Sequence, residues 1–526
     1  MTLSHDQPSL PLASRDVGPD GRSSVSSKLP VAFLVVAAIF VASVAFYWHG
    51  FGPMGDAERY VAAALNWRDN GPFLGETHWA LRHLFVLPMA TIFALFGSSE
   101  FAATVPNILY AAGLVGITFV FGRKYLGARE GTIAAILIAT SAFFVSRPMQ
   151  IGVYGAEIFF AALASWLYVA AQYERRRIAY LVTAGAVAGL AWTIREQTLS
   201  LVVAFGLLSL LGRRQVVFSL FAIGIGFGSV LLAEWLLYGF TAGDPFYRYR
   251  IDLHHRSTGW ATLDSSKDTW FAKLTRPFKD LSTDPATTPV FLIAVASAAL
   301  LARGWRRVLV AKRSTLAIFA VISAVAAIIS AYAFDLALPR YYPILPYFIC
   351  LLLSVAIVAL GQRFGKPVAV LVVTLAMFAN AAGDDFGNYN EYAEARALAR
   401  YALTSDEPIY TDPLTASRTR YLLRLADVPR ERISALIRSE EDYPIGALYF
   451  KASPVSARLG FWCAIERLEV RPDNWTHSAI RFLKIDEALG GSIARIAAKP
   501  SPVEFVRVLP QAGADDPKSG KACLAP

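Results

Sequence analysis

The chain has 526 residues, of which 55% are hydrophobic and only 17% are charged, and its mean hydropathy is +0.44. An ordinary soluble protein is excluded because the apolar residues form long blocks, and the composition predicts a polytopic helical membrane protein. The formal net charge of +10 does not indicate nucleic-acid binding. Much of the lysine and arginine lies in short loops between the apolar blocks, where it usually sets the orientation in the membrane.

The chain begins with a polar segment, residues 1–28, which is rich in Ser, Pro and Gly. It has no apolar periodicity and is predicted to be a disordered cytoplasmic tail. The first apolar span runs from Pro30 to Trp48. Because a long tail precedes it and no small-residue cleavage site is clear, it is interpreted as a retained signal anchor.

The stretch that follows, FGPMGDAERY, spans Phe51 to Tyr60. Asp56 and Tyr60 are four residues apart, so a short helix would place them on one face, and Glu58 adds a second carboxylate. An acid held at the membrane surface suits a site that meets a lipid-borne substrate. A solvated loop carboxylate is the alternative that this stretch alone leaves open.

Ten further apolar blocks bring the predicted number of membrane spans to eleven. They cover residues 101–121, 131–146, 155–172, 178–194, 198–211, 216–238, 288–302, 314–333, 341–360 and 367–382. Basic loops alternate with less basic ones along this series. Placing every basic loop in the cytoplasm satisfies the positive-inside rule and puts residues 49–100 and 239–287 on the outer side.

The block from Leu81 to Gly97 must then begin and end on the same side of the membrane. It has 17 residues and carries Arg82 and His83 near its start. We interpret it as a re-entrant or interfacial helix in the wall of a cavity. A short ordinary span is the alternative.

Ionisable and tyrosine residues gather on the outer face in this topology. They are Asp56, Glu58, Arg82, His83, Arg147, Tyr154, Glu157, Arg195, Glu196, Asp335, Arg340, Tyr341 and Tyr342. Carboxylates suit a base or a metal, whereas arginines suit a phosphate. In the loop 239–287, Asp252 precedes a histidine pair, but the spacing is wrong for a helical metal pair and favours a solvated loop. No complete metal-ligand set is present, so the cofactor requirement stays unknown.

The composition becomes more polar from about Gly383. Residues 391–403 and the segment TASRTRYLLRL have helical patterns, while EPIYTD, ALYF and EFVRVL are typical of short strands. Residues 383–526 are therefore predicted to form a small soluble α/β domain after a membrane domain of residues 29–382. An odd number of spans places this domain outside, where Cys463 and Cys523 could form a disulfide.

Four motifs, in order along the chain, resemble the GT-C membrane glycosyltransferases. The branch is that of protein O-mannosyltransferases, the lipid A aminoarabinose transferase and bacterial dolichyl-phosphate-mannose-type transferases. The motifs are Asp56 with Tyr60, the helix closing in Phe96-Gly97 before Ser99-Glu100-Phe101, SRPMQIGVYGAEIFF with Glu157, and PRYYPILP from Pro339 to Pro346. Two positions depart from the family pattern. Ala57 stands where a second acid is common, and Arg82-His83 replaces a His-Pro-Pro or Lys-Pro-Pro sequence.

The resemblance implies transfer of a sugar from a polyprenyl-phosphate donor to an envelope lipid, glycan or protein on the outer face of the cell membrane. Asp56 would be the catalytic base, and Arg340 would hold the phosphate with Arg195 or Arg82. Glu157 would position the acceptor or support Asp56. Glu58, Tyr60, His83 and Tyr341 complete the expected substrate-binding residues. A polytopic transporter and a non-catalytic envelope-assembly subunit are the alternatives.

Overall fold

A computed structural model describes most of the membrane domain and part of the C-terminal region. The described residues are 28–48, 56–149, 151–211, 215–257, 269–284, 286–300, 305–332, 339–387, 393–439, 444, 446–451, 462–470 and 501–508. Predictions for the N-terminal tail, Asp335 and Cys523 lie outside them, as does the side chain of Cys463, so the predicted disulfide stays a prediction.

Helices make up almost all of the described membrane domain. They are α1 (Lys28–Tyr47), α2 (Asp56–Asn70), α3 (His83–Phe96), α4 (Glu100–Tyr125), α5 (Ala128–Ala139), α6 (Arg147–Met149), α7 (Tyr154–Tyr173), α8 (Arg177–Ile194), α9 (Leu199–Leu211), α10 (Val216–Ala242), α11 (Tyr247–Ser257), α12 (Trp270–Thr283), α13 (Thr288–Leu300), α14 (Trp305–Tyr332), α15 (Ile344–Phe364) and α16 (Lys366–Gly387). A π-helical turn, Ala142–Ser146, precedes α6, and 3₁₀ turns occupy Glu196–Thr198 and Pro339–Tyr341.

Each of the eleven predicted apolar blocks is helical. Within the described ranges, seven helices are long and apolar enough to cross a membrane, or up to nine if each of two bent helix pairs forms one span. The two remaining blocks correspond to shorter apolar helices, α9 and the apolar part of α16. The prediction of a polytopic all-helical membrane protein is confirmed, and α16 continues beyond the predicted domain boundary at residue 382.

One predicted span, 131–146, is broken rather than straight. Between α5 and the segment Ala142–Met149 the axis bends by 62°. A side chain from another helix satisfies a backbone group at the break, because the Tyr47 hydroxyl donates to the carbonyl oxygen of Thr140 at 2.6 Å. Asn107 donates to the carbonyl oxygens of Pro148 and Gly152 at 2.5 and 2.9 Å and holds the chain that leads into α7.

The C-terminal region contains the predicted small α/β unit. Its elements are α17 (Ala393–Thr404), β1 (Ile409–Tyr410), α18 (Pro413–Leu425), α19 (Arg430–Leu436), β2 (Ile437–Arg438), β3 (Leu448–Lys451), β4 (Trp462–Val470) and β5 (Ser501–Val508). The five strands form one mixed sheet in the order β2-β1-β3-β5-β4. Strand β1 is parallel to β2 and β3, whereas β5 is antiparallel to β3 and β4.

Helices α2 and α3 share one apolar core with this α/β unit. Buried residues from both sides meet there, including Val61 of α2, Met89 of α3, Leu398 of α17 and Phe505 of β5. Polar pairs surround the core. Arg396 holds Glu100 through two hydrogen bonds at 3.2 and 2.9 Å, and the Ser98 hydroxyl donates to Asp427 at 2.8 Å. The α/β unit is therefore packed firmly against α2 and α3.

Glycine allows close helix packing between α8 and α10. A Cβ atom on Gly226 would lie 1.9 Å from the carbonyl oxygen of Val182, and one on Gly185 would lie 2.2 Å from that of Ile223. Only glycine fits such a backbone approach, the usual role of small residues between membrane helices. Gly224, on the same helix, faces open space within the described structure.

Gly226→Ala should destabilise the protein by roughly 1–3 kcal/mol or more, because the added methyl group must push α8 and α10 apart. The matched control is Gly224→Ala, which should be neutral or slightly stabilising because alanine favours the helix. Thermal unfolding of both variants in lipid nanodiscs measures the difference. Equal unfolding temperatures for the two variants would contradict this account of the α8–α10 contact.

Candidate functional site

The beginning of α2 carries three of the expected site residues: Asp56 and Tyr60 lie on one side of the helix, and Glu58 lies on the other. Asp56 and Tyr60 share a face, as their spacing predicts, and the Tyr60 side chain is buried while Asp56 is partly exposed. Glu58 is buried on the other side of the helix. There its carboxylate accepts a hydrogen bond from the Ser417 hydroxyl of α18 at 2.7 Å. The structure therefore places Glu58 at the contact with the α/β unit, apart from Asp56.

Tyr60 lies at the centre of a charged group. Arg82, at the start of α3, is buried and donates a hydrogen bond to the Tyr60 hydroxyl. Burial raises the pKa of Tyr60 most strongly; the charge of Arg82 lowers it, that of Asp56 raises it, and Tyr154 and Arg195 make smaller contributions. The net result is a pKa well above the ordinary value, so Tyr60 keeps its proton. These side chains are close enough to act on one another electrostatically.

A buried ion pair connects α7 to the turn that follows α8. Glu157 is only 1% exposed, and its carboxylate accepts hydrogen bonds from Arg195 at 2.9 Å and from Gln197 at 2.8 Å. Burial opposes the charge on Arg195, but the Glu157 carboxylate, together with Tyr154 and Tyr341, outweighs it, and the pKa of Arg195 stays above its ordinary value. Arg195 also donates to the carbonyl oxygen of Arg340 at 3.2 Å, which ties in the PRYYP segment.

Arg195 and Arg340 share the faces of the same two tyrosine rings. The Arg195 guanidinium carbon lies 4.9 Å from the ring centre of Tyr154 and 4.6 Å from that of Tyr341. The corresponding distances for Arg340 are 5.9 and 5.2 Å. Cation–π contact helps to hold both cations. The positive charges of Arg195 and Arg340, held close together, form a site that would stabilise a bound anion.

The next tyrosine in the sequence points elsewhere. The hydroxyl of Tyr342 donates to Asp280 of α12 at 2.8 Å, and the side chain is almost fully buried. Arg147 pairs with Asp284 at the end of the same helix. Tyr342 and Arg147 therefore fix α12 to the membrane domain, whereas Tyr341 lines the arginine pair.

A second polar cluster lies next to Arg82 and is built around Arg248 of α11. This arginine is 2% exposed and donates to Glu234 of α10 at 2.8 Å and to Glu196. Asp252, one turn further along α11, is hydrogen-bonded to Glu196. His83 packs on Tyr238, and burial together with the charge of Arg248 lowers its pKa.

The structure thus brings together seven of the nine residues expected at the site. They are Asp56, Tyr60, Arg82, Glu157, Arg195, Arg340 and Tyr341. His83 lies beside the second cluster, and Glu58 is on the far side of α2. The expected set omitted Gln197 and Arg248, although Gln197 stands two residues after Arg195. It also omitted Tyr154, which is three residues before Glu157 on a helical face.

A resident metal has no evident ligand set in the described part of the chain. No group of three or more His, Cys, Asp or Glu side chains is placed there to hold an ion. Glu157, Glu234 and Glu58 are instead engaged by arginine, glutamine or serine donors.

Two solved structures of ArnT from Cupriavidus metallidurans resemble this architecture. The apo form has a TM-score of 0.53 at 12% sequence identity, covering 84% of this chain and 97% of that one. The form bound to undecaprenyl phosphate has a TM-score of 0.52 at 11% identity, covering 92% and 98%. At this identity the likeness establishes the fold, and the chain has the fold of the GT-C membrane glycosyltransferases.

The sequence itself is similar to a narrower family over part of its length. Residues 84–238 match the family described as dolichyl-phosphate-mannose-protein mannosyltransferase. That segment contains Glu157, Arg195 and Glu196. A search of curated proteins by sequence finds no match to the chain.

Replacing Glu157 by Met should cost roughly 3–5 kcal/mol of stability, because it leaves the Arg195 cation buried without its carboxylate. The double variant Glu157→Met, Arg195→Met should be less destabilised than Glu157→Met alone. As a control, Glu174→Met breaks a more exposed pair with Lys124 and should cost at most about 1 kcal/mol. Additive losses in the double variant, measured by thermal unfolding, would show that the two side chains are not coupled.

Proposed function

We propose that this protein transfers a sugar from a polyprenyl-phosphate donor to an acceptor of the cell envelope on the outer face of the membrane. The observation that carries the proposal is the arginine pair, Arg195 and Arg340, clamped on Tyr154 and Tyr341 next to Asp56, Tyr60 and Arg82. These residues form a positively charged site that can bind a phosphate, with a carboxylate nearby that can act as a base, within a GT-C fold.

In the proposed reaction, the anomeric carbon of the sugar leaves the donor phosphate and forms a bond to an acceptor oxygen. The departing phosphate needs positive charge, which Arg340 and Arg195 would supply, with Arg82 alongside. Asp56 would take the proton of the acceptor hydroxyl as general base. Energy comes from the phosphate linkage of the donor, so the reaction on this face requires no nucleotide.

Glu157 and Tyr60 would act as positioning residues. Glu157 holds Arg195 and Gln197 by hydrogen bonds, which fixes one guanidinium for the donor. The pKa of Tyr60 is raised mainly by burial, so the side chain stays a neutral hydrogen-bonding group rather than a base. With Glu157 and Tyr60 in these roles, the remaining candidate for the base is Asp56, a partly exposed acid on the same face of α2 as Tyr60.

We infer that the site and the α/β unit lie outside the cell membrane, in the periplasmic or extracellular compartment. The alternation of basic loops supports this orientation. Since the α/β unit packs against α2, the helix that carries Asp56, both must share one compartment. Hexosyl and pentosyl donors both fit the proposal. Mass spectrometry of envelope glycolipids and glycans, with and without the gene, would identify the sugar and the acceptor.

Asp56→Asn should reduce sugar transfer by roughly 100-fold or more, because it removes the base and keeps the size of the side chain. Asp69→Asn is the matched control at the other end of α2, where Asp69 is ion-paired with Arg68 and 40% exposed at its side chain. It should transfer at a near-normal rate. Activity is measured with purified protein and a polyprenyl-phosphate sugar. A transporter or assembly subunit would give no Asp56-dependent turnover at all.

Arg340→Lys should raise the KM for the donor by roughly tenfold, because lysine keeps the charge but loses the planar fork that can bind phosphate through two hydrogen bonds. The control is Arg363→Lys at the far end of α15, which caps the carbonyl oxygen of Leu300. Transfer rates against donor concentration distinguish the two. An unchanged KM and maximal rate for Arg340→Lys would mean that Arg340 is only an interfacial anchor.

A further inference from the structure

The Arg248 cluster holds more acids than its basic groups neutralise. Arg248 donates to the carboxylates of Glu234 and Glu196 and also to the carbonyl oxygen of Trp192 at 2.9 Å. Asp252 adds a third carboxyl group through its hydrogen bond to Glu196. Both Arg248 and Glu234 are more than nine-tenths buried. The cluster joins α8, α10, α11 and the turn that begins α9.

Arg82 is a second cation whose charge reaches this cluster. It acts on both Glu196 and Asp252. With Arg82 included, three carboxyl groups face two guanidinium groups, so full ionisation would leave one negative charge uncompensated. Such a charge is costly away from water. One more positive charge is needed, and a proton is the smallest one available.

The geometry indicates which oxygens hold the excess charge. Within the described residues, Oδ2 of Asp252 and Oε2 of Glu234 are buried without a hydrogen-bond partner. Glu234 is already bound by Arg248 through its other oxygen. Asp252 instead faces the Glu196 carboxylate, and two carboxyl groups can share a hydrogen bond only if one of them carries a proton.

The surrounding groups favour Asp252 as the residue that is protonated. Burial, followed by the negative charge of Glu196, raises the pKa of Asp252 to about 7, while Arg248 and Arg82 act in the opposite direction. Burial would also raise the pKa of Glu196, but the two arginines outweigh it and hold that carboxyl ionised. Other titratable groups around the cluster are Glu234 and Tyr238 of α10, Tyr247 and Tyr249 of α11, and His83 of α3.

We propose that Asp252 and Glu196 share one proton, and that this pair is a positioning element that sets how strongly Arg82 attracts an anion at the neighbouring site. Its second part rests on the proposed function, since the anion would be the donor phosphate. With the proton present, the carboxylates and guanidinium groups balance. Without it, the extra negative charge offsets the attraction of Arg82 and competes for its guanidinium.

The direction of the pH effect follows from the charge balance. Asp252 is neutral below its raised pKa and ionises as the pH rises through about 7. Donor binding should therefore weaken between about pH 6 and pH 8. Burial and the charge of Arg248 lower the pKa of His83, which moves its titration away from this range.

Infrared spectroscopy tests the proton without relying on enzyme activity. At pH 6 the full-length protein should show the carbonyl stretch of a protonated carboxyl group that is lost in Asp252→Asn. Glu196→Gln provides a second variant. It removes the like charge that adds to the effect of burial on Asp252 and leaves two carboxyl groups facing two guanidinium groups, so the same band should disappear near neutral pH. Asp244→Asn is the control on the same loop, where Asp244 pairs with Arg250, and it should keep the band.

Kinetics test the coupling to Arg82. The KM for a polyprenyl-phosphate sugar should rise with pH in the wild type, by on the order of tenfold for one unit charge added beside the site at an effective dielectric constant of about 20. In Asp252→Asn, which mimics the protonated form, the KM should stay at its low-pH value. The donor is a phosphodiester and does not itself titrate in this range.

The results separate the two parts of the proposal. If no carboxyl band is lost in Asp252→Asn or in Glu196→Gln, the shared proton is disproved. If the band behaves as expected but the KM of Asp252→Asn still rises with pH as in the wild type, the coupling to Arg82 is disproved. Absence of any sugar transfer by the wild type would overturn the proposed function while leaving the infrared result valid.

Discussion

The buried ion pair between Glu157 and Arg195 is the contact on which the rest of the site depends. It joins α7 to the turn after α8, and Arg195 then reaches the backbone of Arg340 before α15. Burying both charges costs several kcal/mol unless further hydrogen bonds satisfy them. Gln197 and the carbonyl oxygen of Arg340 supply those bonds. Three separate segments are thereby fixed around one guanidinium, which contacts the rings of both Tyr154 and Tyr341.

Helix α2 transmits a second constraint, from the α/β unit to the site. The two sides of α2 make different contacts. Glu58 accepts a hydrogen bond from Ser417 of the α/β unit, whereas Asp56 and Tyr60 lie near Arg82 of the membrane domain. The apolar core shared by α2, α3 and the sheet limits how far α2 can move. The α/β unit thus helps to hold α2 in place. A domain boundary at residue 383, as predicted from composition, gives no indication of this contact.

The sequence predicts most of the helices but fewer of the contacts. Long apolar blocks and the four-residue spacing of Asp56 and Tyr60 are local signals, and the structure contains both. The bend near Thr140 depends on Tyr47, which is 93 positions away. Asp252 contacts Glu196, which belongs to a distant segment of the chain. Local spacing cannot show this contact and therefore predicts only a solvated loop carboxylate. Such contacts between distant segments leave no periodic pattern to detect.

Several of the site residues lie at or just before the N-terminal ends of helices. Asp56 is the first residue of α2 and Tyr154 the first of α7, while Arg82 immediately precedes α3 and Arg340 lies shortly before α15. Helix N-termini carry partial positive charge and free backbone N–H groups. The three arginines Arg82, Arg195 and Arg340 add full positive charges to the same region, and side chains and helix ends therefore favour an anion there. Glu157 and Asp56 oppose that attraction with fixed carboxylates, whereas the proposed proton on the Asp252–Glu196 pair would make the opposing charge next to Arg82 depend on pH.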